Sequence, residues 1–410
     1  MDYDLLIIGA GVIGCALARQ ISLDHPKLKI CVVEASDRPA AHQSGRNSGV
    51  CHSGFNPAPG TLKARLCVEG NRLMREFCRS HSVRFQDVGT VVTAVNDVEI
   101  ERLEKLCKRG EQNAVPGIHL IDLNAARELE PNLADGIKLV MHAPTGGIVD
   151  APAFVRAIAL EAQGAGVTFR YNTRVTGADT LSGGYRLTIS TSDGGDLIDA
   201  ARVINASGVH VDTVARMFGW AGPYRIVPFR GRYWDVKGKP DIIRSMIYPV
   251  PDPAFPFLGV HVTKRVDGGV MLGPNAMLAF GRESYAFWKV NWKDVVGMAR
   301  QQHFWRLMRR PEVIKHAVSE VERSLNPKRF AAEAALLVKG IEPEDLGEGP
   351  PAGIRAQLVD QHGELVEDFL LDVGQNICHI LNAVSPGLTS SLAFARYLVG
   401  DLKAKGFLAG

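Results

Sequence analysis

The hydrophobic pattern at the start of the chain predicts a strand, a tight turn and a helix. An apolar, β-branched run ends at Ile8, and a helical repeat of apolar positions continues beyond the turn as far as Ile21. A second apolar run begins at Lys29 and ends in the acidic residue Glu34. Short apolar runs separated by a helix are typical of buried parallel strands. The chain therefore opens with a βαβ unit.

Further along, apolar periodicity predicts a series of helices and strands. Thr61 has the character of a helix N-cap, and so does Asp150, which Pro152 follows in the first turn. The elements predicted here are helices over residues 62–81 and 99–113, strands over 88–95 and 136–142, and a helix after residue 150. The two strands and the helix between them have the character of the start of a second domain.

Between residues 168 and 204 the pattern changes to short strands separated by glycine turns. The predicted strands are residues 168–171, 174–178, 185–190 and 196–204. This pattern predicts a β-meander. Its last strand ends in the small-residue turn Asn205–Gly208, which is followed by a helix. Such a strand belongs beside the first strand, so we expect the chain to return to its opening unit.

The region after Trp220 is rich in aromatic residues, prolines and arginines. Its predicted strands are residues 225–236, 244–249, 259–264 and 269–272. Residues 283–325 are helical in pattern, basic and rich in Trp. A helical bundle with a solvated charged face explains this span, and a patch that docks on a membrane surface or a partner is the alternative. A hairpin around residues 361–363 and a C-terminal helix opened by residues 382–391 complete the prediction.

The bulk properties are those of a globular chain with two domains. The chain has 410 residues, a formal net charge of +3 and 46% hydrophobic residues, and its mean hydropathy is +0.00. A chain of this length is too long for one simple core. The balanced charge gives no indication of nucleic-acid binding by electrostatics.

The cysteines and the chain start predict a cytoplasmic protein. The seven cysteines form no C-x-x-C pair and no metal-ligand spacing, which indicates reduced thiols and no metal site. The first strand begins almost at Met1, so we expect no signal or transit peptide, and no apolar run is long enough to span a bilayer. Peripheral contact with the inner face of the cell membrane stays open.

The opening turn carries a dinucleotide-binding motif. Gly9-x-Gly11-x-x-Gly14 lies between the strand and the helix, and Glu34 follows 20 residues after the last glycine. The glycines permit a tight turn, a close approach to a pyrophosphate and close helix packing, while the acid binds ribose hydroxyls. The cofactor-binding residues predicted here are Gly9, Gly11, Val12, Ile13, Gly14, Glu34 and Ala35. An ordinary βα turn is the alternative.

A polar loop, residues 41–54, follows this motif. Its glycines let the backbone approach a ligand, its serine and asparagine side chains offer hydrogen bonds, and His52 is its most reactive member. The predicted cofactor-binding residues of the loop are His42, Ser44, Asn47, Ser48, Gly49 and Val50. A solvent-facing loop is the alternative.

Later parts of the chain return to small residues that suit the same cofactor. A polar helix start near the C-terminus is a second candidate anion site. The further predicted cofactor-binding residues are Val175, Ala206, Ser207, Gly208, Gly353, Pro386, Gly387, Leu388 and Thr389. Because the chain has no second G-x-G-x-x-G motif, it holds one dinucleotide, and the returning turns favour FAD over NAD.

These features together resemble the FAD-dependent oxidoreductases of the D-amino-acid oxidase and glycine oxidase group. More specific motifs are similar to the L-2-hydroxyglutarate dehydrogenase/oxidase branch of that family, over nearly the full length. These motifs are His42–Gly54, Pro59–Ala64, Pro228–Gly231, Tyr248–Pro253, Phe257–His261, Gly273–Ala276 and Ala352–Gln357. The chain after Ser391 is short and leaves little room for a membrane-anchoring tail.

The resemblance implies an α/β fold with a Rossmann-like FAD-binding domain, which contains a parallel sheet and a β-meander. An α+β substrate domain with an antiparallel sheet completes it. The FAD-binding domain is expected over residues 1–85, 146–220 and 340–410, and the substrate domain over 86–145 and 221–339. We expect FAD to be bound non-covalently.

The implied reaction is oxidation of L-2-hydroxyglutarate to 2-oxoglutarate by hydride transfer to flavin N5. A base must remove the hydroxyl proton, and His52 or His261 fits this role because an imidazole titrates near neutral pH. Donors to the dicarboxylate are expected from Arg230, Tyr248, Arg355 and Lys63. A structural ion pair, a buried structural histidine and an exposed helical lysine are the alternatives for these residues.

Electrons are expected to pass to a quinone, a carrier protein or oxygen. Other functions remain open at this point. One is an FAD-dependent amine or amino-acid oxidase of the glycine and sarcosine oxidase type, which would form an imine. A glycerol-3-phosphate type dehydrogenase and a flavoprotein that only binds partners are two more.

Overall fold

The computed structural model describes residues 1–252, 259–286, 288–311, 313–314, 320, 326–383 and 385–408. Some predicted features fall outside the described residues, namely Pro253, Phe257 and Leu258 of the motifs above, residues 287, 312, 315–319 and 321–325 of the helical span, and Val384.

The helices of the described residues are α1 (Val12–Asp24), α2 (Leu62–Ser80), α3 (Asp97–Gln112), α4 (Leu123–Leu129), α5 (Ala151–Gly164), α6 (Val211–Met217), α7 (Trp292–Ala299), α8 (Gln302–Met308), α9 (Pro327–Ala335) and α10 (Gly387–Ala404). Thr61 and Asp150 cap α2 and α5 as predicted, because their side chains accept hydrogen bonds from the amides of Ala64 and Ala153.

The strands of the described residues are β1 (Tyr3–Ile8), β2 (Ile30–Val33), β3 (Val50–Cys51), β4 (Phe85–Asp87), β5 (Thr90–Ala94), β6 (His119–Ile121), β7 (Leu139–Ala143), β8 (Gly147–Val149), β9 (Thr168–Arg170), β10 (Arg174–Leu181), β11 (Gly184–Thr191), β12 (Gly194–Asn205), β13 (Arg225–Gly231), β14 (Trp234–Val236), β15 (Met246–Pro249), β16 (His261–Lys264), β17 (Val270–Gly273), β18 (Met277–Leu278), β19 (Leu346–Glu348), β20 (Gly353–Val359), β21 (Leu370–Val373) and β22 (Ile377–Asn382).

The first sheet joins the opening βαβ unit to the middle and the end of the chain. Its strand order is β10-β11-β12-β1-β2-β9, and β22 pairs with β12. The pairs of β1 with β2 and of β1 with β12 are parallel, whereas β11 pairs in antiparallel fashion with β10 and with β12. The predicted return of the chain to its first strand is therefore confirmed. So is the combination of a parallel sheet with a meander.

One predicted strand of the meander belongs elsewhere. β9 pairs in parallel with β2, so it is the third strand of the parallel sheet and not part of the meander. The reason is local, because β9 follows the crossover helix α5 directly and Asn172 takes a left-handed conformation (φ 51°) immediately after it. The meander begins only after that turn.

The second sheet lies on the other side of the cavity that is described below. Its order is β19-β14-β17-β16-β15-β5-β7-β6, and the pair of β15 with β5 is parallel within an otherwise antiparallel sheet. The prediction of a single strand over residues 225–236 is wrong. These residues form two strands in different sheets, since β13 pairs with β18 and β20. Between β13 and β14, the Arg232 amide donates to Asn275 Oδ1 (2.6 Å). This amide is therefore not available for a hydrogen bond to a neighbouring strand.

Close helix packing brings the end of the chain onto its beginning. Helix α10 packs against α1 and α2. Gly70 in α2 permits this approach, because a Cβ at that position would lie 2.3 Å from the Thr389 carbonyl oxygen. All seven cysteines are buried free thiols. In the described part of the chain, no helix is both long enough and apolar enough to cross a bilayer.

The glycine at the end of the opening motif yields a stability prediction. A Cβ on Gly14 would lie 1.9 Å from the Gly9 carbonyl oxygen, so Gly14→Ala must displace α1 from the turn. We expect the thermal midpoint of the ligand-free protein to fall, with a loss of about 1–3 kcal/mol typical of overpacking. The matched control is Gly400→Ala in α10, where the added methyl meets open space and should raise the midpoint. Equal midpoints for the two variants would contradict the packing role of Gly14.

Candidate active site

An elongated cavity of about 470 Å³ extends from the first sheet to the second. Its volume is typical of small-molecule sites. Glu34, at the carboxyl end of β2, lies at one end, while His52 and His261 belong to the other. The predicted residues that line the cavity are Gly9, Gly11, Val12, Ile13, Glu34, Ala35, His42, Ser44, Asn47, Ser48, Val50, His52, Val175, Ala206, Ser207, Gly208, Arg230, Tyr248, His261, Gly353, Arg355, Pro386, Gly387, Leu388 and Thr389.

Three predicted residues, Gly14, Gly49 and Lys63, are not part of this lining. Gly14 supports the turn from behind, and Gly49 backs onto β8, where a Cβ would lie 2.5 Å from the Val149 carbonyl oxygen. The Lys63 ammonium donates to the Glu367 carbonyl oxygen (3.0 Å). Lys63 therefore acts on the site through its charge and not as a lining donor.

The Glu34 end of the cavity fits an adenosine diphosphate group. Glu34 Oε2 accepts from the Ala10 amide (2.8 Å) and Oε1 accepts from the Ser36 amide (2.8 Å), which fixes the carboxylate beside the glycine turn. Each oxygen keeps acceptor capacity for a ribose hydroxyl. Gly9 has φ +105°, and a Cβ there would lie 2.7 Å from the Ala206 carbonyl oxygen. Gly9 is thus required for the close packing of the first turn against the Ala206 backbone.

The polar loop is held in shape by its own side chains. The Ser44 hydroxyl accepts from the Val12 amide (2.9 Å) at the first turn of α1. Asn47 donates to the Ser44 carbonyl oxygen (2.6 Å) and accepts from the Gly49 amide (2.7 Å). Ser44 and Asn47, predicted as cofactor donors, therefore also form the loop that lines the cavity.

A further group of residues at the Glu34 end was missed from the sequence. The Tyr285 hydroxyl lies 3.1 Å from His42 Nδ1, and the Arg46 guanidinium lies 4.1 Å from the centre of the Tyr285 ring. Glu283 lines the cavity beside His210, whose Nε2 is 2.9 Å from its carboxylate. That hydrogen bond is the main cause of the lowered pKa of Glu283, about 2. Glu283 and Tyr285 come from a distant segment, so no local motif signals them, whereas Arg46 belongs to the polar loop itself.

At the other end, two helices hold the backbone of His52. Its amide donates to Thr389 Oγ1 (3.0 Å) at the start of α10. Its carbonyl oxygen accepts from Asn71 Nδ2 (3.0 Å) in α2, and the same Nδ2 contacts Cys51 Sγ (3.2 Å). The ring is left to line the cavity. Burial, and then the charge of Lys63, lowers the pKa of His52 to about 4.

His261 enters the same end from strand β16. Its ring stacks on the Tyr248 phenol ring with centroids 3.8 Å apart. Its side chain is buried, and within the described part of the chain Nε2 has no hydrogen-bond partner. Burial, and then the neighbouring His52, lowers the pKa of His261 to about 3. Both imidazoles are therefore neutral at pH 7.

Two buried arginines give this end of the cavity its positive charge. Arg230 in β13 and Arg355 in β20 both line the cavity, and burial lowers the pKa of each guanidinium. Burial and then the charge of Arg355 lower the pKa of the Lys63 ammonium, so this lysine belongs to the same cationic region. The guanidinium groups stay charged, because their ordinary pKa lies far above neutrality. Their positive charge favours an anionic ligand.

Tyr233 is a lining residue that a closer reading of the sequence could have found. It lies in the aromatic segment Pro228–Trp234, and burial raises the pKa of its phenol to about 12. Its hydroxyl is a hydrogen-bond partner of Ser48 in the polar loop. The cavity thus receives protonated phenols from Tyr233 and Tyr248, which act as donors or neutral walls.

The cavity and its glycine cradle define the class of protein. Residues 4–400 match the family described as "FAD dependent oxidoreductase". The chain belongs to this family, and FAD is the dinucleotide that the Glu34 end accommodates. The prediction of fold class and cofactor is confirmed.

Curated relatives of this chain carry a more particular name. The chain is 37% identical to the mitochondrial L-2-hydroxyglutarate dehydrogenase of Nematostella vectensis, over 99% of this chain and 91% of the relative. It is 35% identical to the L-2-hydroxyglutarate dehydrogenase of Escherichia coli (strain K12), over 98% of this chain and 93% of the relative. The resemblance to the L-2-hydroxyglutarate dehydrogenases seen in the sequence motifs is therefore confirmed.

Solved structures share the fold. FAD-bound L-alpha-glycerophosphate oxidase from Mycoplasma pneumoniae superposes with a TM-score of 0.79 at 24% identity, over 98% of this chain and 94% of that one. Glycine oxidase from Geobacillus kaustophilus superposes with a TM-score of 0.71 at 18% identity, over 98% and 95%. At these identities the likeness concerns the fold alone.

The lowered pKa of His261 predicts how stability depends on pH. Its folded pKa, about 3, lies below the unfolded value near 6.5, so between these values the unfolded chain binds more protons. The stabilising contribution is complete above about pH 6.5 and is lost as the pH falls, by about 2 kcal/mol between pH 7 and 5. We expect His261→Gln to reduce this loss in urea unfolding of the FAD-free protein.

The control for this measurement is His362→Gln, which removes an exposed histidine from the turn after β20. It should retain the wild-type loss of stability between pH 7 and 5. If His261→Gln shows the same loss as His362→Gln, the buried neutral imidazole does not cause it.

Proposed function

We propose that this protein oxidises L-2-hydroxyglutarate to 2-oxoglutarate. The observation that carries the proposal is the pairing of neutral histidines with buried cations at one end of an FAD cavity, in a chain whose curated relatives have this activity by name. When bound, FAD supplies the acceptor for the hydride that leaves C2. The residues of this chain must then bind two carboxylates and remove one hydroxyl proton.

Arg230 and Arg355 are proposed to bind the two carboxylates. Guanidinium groups form paired, charge-assisted hydrogen bonds with carboxylates, each worth about 1.5–3 kcal/mol. Tyr248 adds a phenol donor in the same lining, and Lys63 adds positive charge from behind. The positive charges of these side chains attract a dianion and repel a cationic amine.

His52 is proposed as the base that receives the hydroxyl proton on a ring nitrogen. Its neutral form has a free lone pair, and its backbone is fixed by Thr389 and Asn71. A dicarboxylate beside the ring would raise the lowered pKa of His52 towards the working pH, because negative charge favours the imidazolium. His261 is proposed to orient the substrate, since its ring is held by the Tyr248 stack.

The cofactor is proposed to be bound without a covalent link. Cys51, the thiol next to His52, is buried and is contacted by Asn71, so it does not face the cavity. Electrons are proposed to pass to a quinone, a carrier protein or oxygen. A cytoplasmic location is supported by the buried free thiols, which suit a reducing compartment.

The domain division is proposed as residues 1–85, 146–220 and 340–410 for FAD and residues 86–145 and 221–339 for the substrate. It is supported by the sheets, because the first sheet takes its strands from the first division and the second sheet takes most of its strands from the other. The exception is β19, which pairs with β14 and argues for a later start of the third segment.

Anaerobic flavin reduction tests the substrate. Holoenzyme mixed with L-2-hydroxyglutarate should lose its oxidised-flavin absorbance, while D-2-hydroxyglutarate, sarcosine and glycerol 3-phosphate should leave it unchanged or reduce it far more slowly. The D enantiomer is the matched control, because it has the same charge and size. Bleaching by sarcosine but not by L-2-hydroxyglutarate would instead support an amine oxidase of the glycine and sarcosine oxidase type.

Substitution of the two histidines tests the base. We expect His52→Ala to slow flavin reduction by about 10²–10⁴-fold, which is the usual contribution of a general base. His261→Ala should chiefly weaken substrate binding, and the exposed control His362→Ala should do neither. The rate is measured by stopped flow at saturating substrate, after the FAD content of each variant is matched. An undiminished rate in His52→Ala would remove it from the role.

A further inference from the structure

A short segment between β18 and α7, residues 280–286, contacts the Glu34 end of the cofactor cavity, and we call it the strap. The Asn291 amide, at the N-cap of α7, donates to the Phe280 carbonyl oxygen (2.8 Å). The Arg282 amide donates to Asp294 Oδ2 (2.8 Å) in the first turn of that helix. The strap is therefore fixed to the start of α7.

Arg282 fastens the strap to helix α6 through a buried ion pair. Its side chain is 7% exposed and that of its partner Asp212 is 0% exposed. Arg282 Nη1 donates to Asp212 Oδ1 (2.7 Å), Nη2 donates to Oδ2 (3.1 Å), and Nη1 also donates to the Val209 carbonyl oxygen. Two parallel hydrogen bonds fix the orientation of both groups as well as their distance. This pair therefore sets the position of the strap on α6.

Glu283, the next residue of the strap, contacts two residues that line the cofactor cavity. Its Oε1 lies 2.9 Å from His210 Nε2 and 3.7 Å from a guanidinium nitrogen of Arg174. Glu283 lines the cavity itself. The strap therefore contributes directly to the cavity lining.

Tyr285 is connected to the carboxylate of Glu34 through two further side chains. Its hydroxyl lies 3.1 Å from His42 Nδ1, and His42 Nε2 lies 2.9 Å from the Ser36 hydroxyl. The Ser36 amide in turn donates to Glu34 Oε1 (2.8 Å). The strap thus supports the histidine that stands beside the acid proposed to bind the ribose.

The Tyr285 ring holds a second side chain of the polar loop. The Arg46 guanidinium lies 4.1 Å from the ring centre, and a cation above an aromatic face is attracted by the negative face of the ring. Arg46 and His42 both line the cavity. One tyrosine of the strap therefore fixes two polar side chains in the cavity lining.

We propose that the strap retains FAD, because it fixes the residues around the adenosine part of the cofactor in their binding positions. The strap belongs to residues 221–339, whereas its partners His42, Arg46, Arg174, His210 and Asp212 belong to residues 1–85 and 146–220. It therefore fastens the two proposed domains together at the nucleotide end of the cavity. Side chains that are already held in place lose less conformational entropy when a ligand binds.

Tyr285 is a positioning residue in this role, since it acts through His42 and Arg46. The role depends on the FAD site and not on the identity of the substrate. Release of FAD is measured without any substrate, so a failure of the substrate assignment would leave this test intact.

Release of FAD from the holoenzyme tests the role of Tyr285. We expect Tyr285→Ala to release FAD about tenfold faster than wild type, because it loses one hydrogen bond and one cation–π contact. Tyr285→Phe keeps its ring over Arg46 and loses only the hydroxyl, so it should accelerate release by about threefold. The rate is measured as the flavin that passes an ultrafiltration membrane at successive times after dilution.

A double-mutant cycle tests whether the Tyr285 hydroxyl acts through His42. In a protein that already carries His42→Ala, Tyr285→Phe should not accelerate the release of FAD any further. The same acceleration in both backgrounds would show that the hydroxyl does not act through His42, and would overturn this part of the proposal.

The matched control is Tyr3→Ala. Tyr3 is also a half-buried tyrosine with a cation over its ring, Lys29 Nζ at 5.0 Å, but it is not part of the cavity lining. It should release FAD at the wild-type rate, even where the thermal midpoint of the FAD-free protein falls. The proposal is overturned if Tyr285→Ala releases FAD at the wild-type rate, or if Tyr3→Ala accelerates release equally.

Discussion

The hydrogen bond from the His52 amide to the Thr389 hydroxyl joins parts of the chain that are 337 residues apart in sequence. It forms only if α10 lies against α2, and that contact depends on the missing side chain of Gly70. The first sheet in turn fixes α10, because β22 leads into it and pairs with β12. The position of one reactive loop is thus a consequence of how the whole chain closes on itself.

Burial has opposite consequences for the two kinds of basic group in the cavity. It makes the imidazoles of His52 and His261 neutral, because their pKa values fall below the usual range of histidine. The guanidinium groups of Arg230 and Arg355 stay charged, because their ordinary pKa lies far above neutrality. The same loss of solvent therefore yields a proton acceptor and a fixed positive charge side by side. An anion with a hydroxyl group is the ligand that uses both.

The sequence could predict those features that depend on local backbone requirements. The glycine turn, Glu34, the caps Thr61 and Asp150, and the return of β12 to β1 follow from short patterns, and the structure contains them. The break between β13 and β14 was missed because its cause is a contact from Asn275, 43 residues away. Tyr285 and Glu283 were missed for the same reason, since only tertiary packing brings them beside His42 of the polar loop. Lys63 was predicted to bind the substrate, but its ammonium donates to the Glu367 carbonyl oxygen and does not line the cavity.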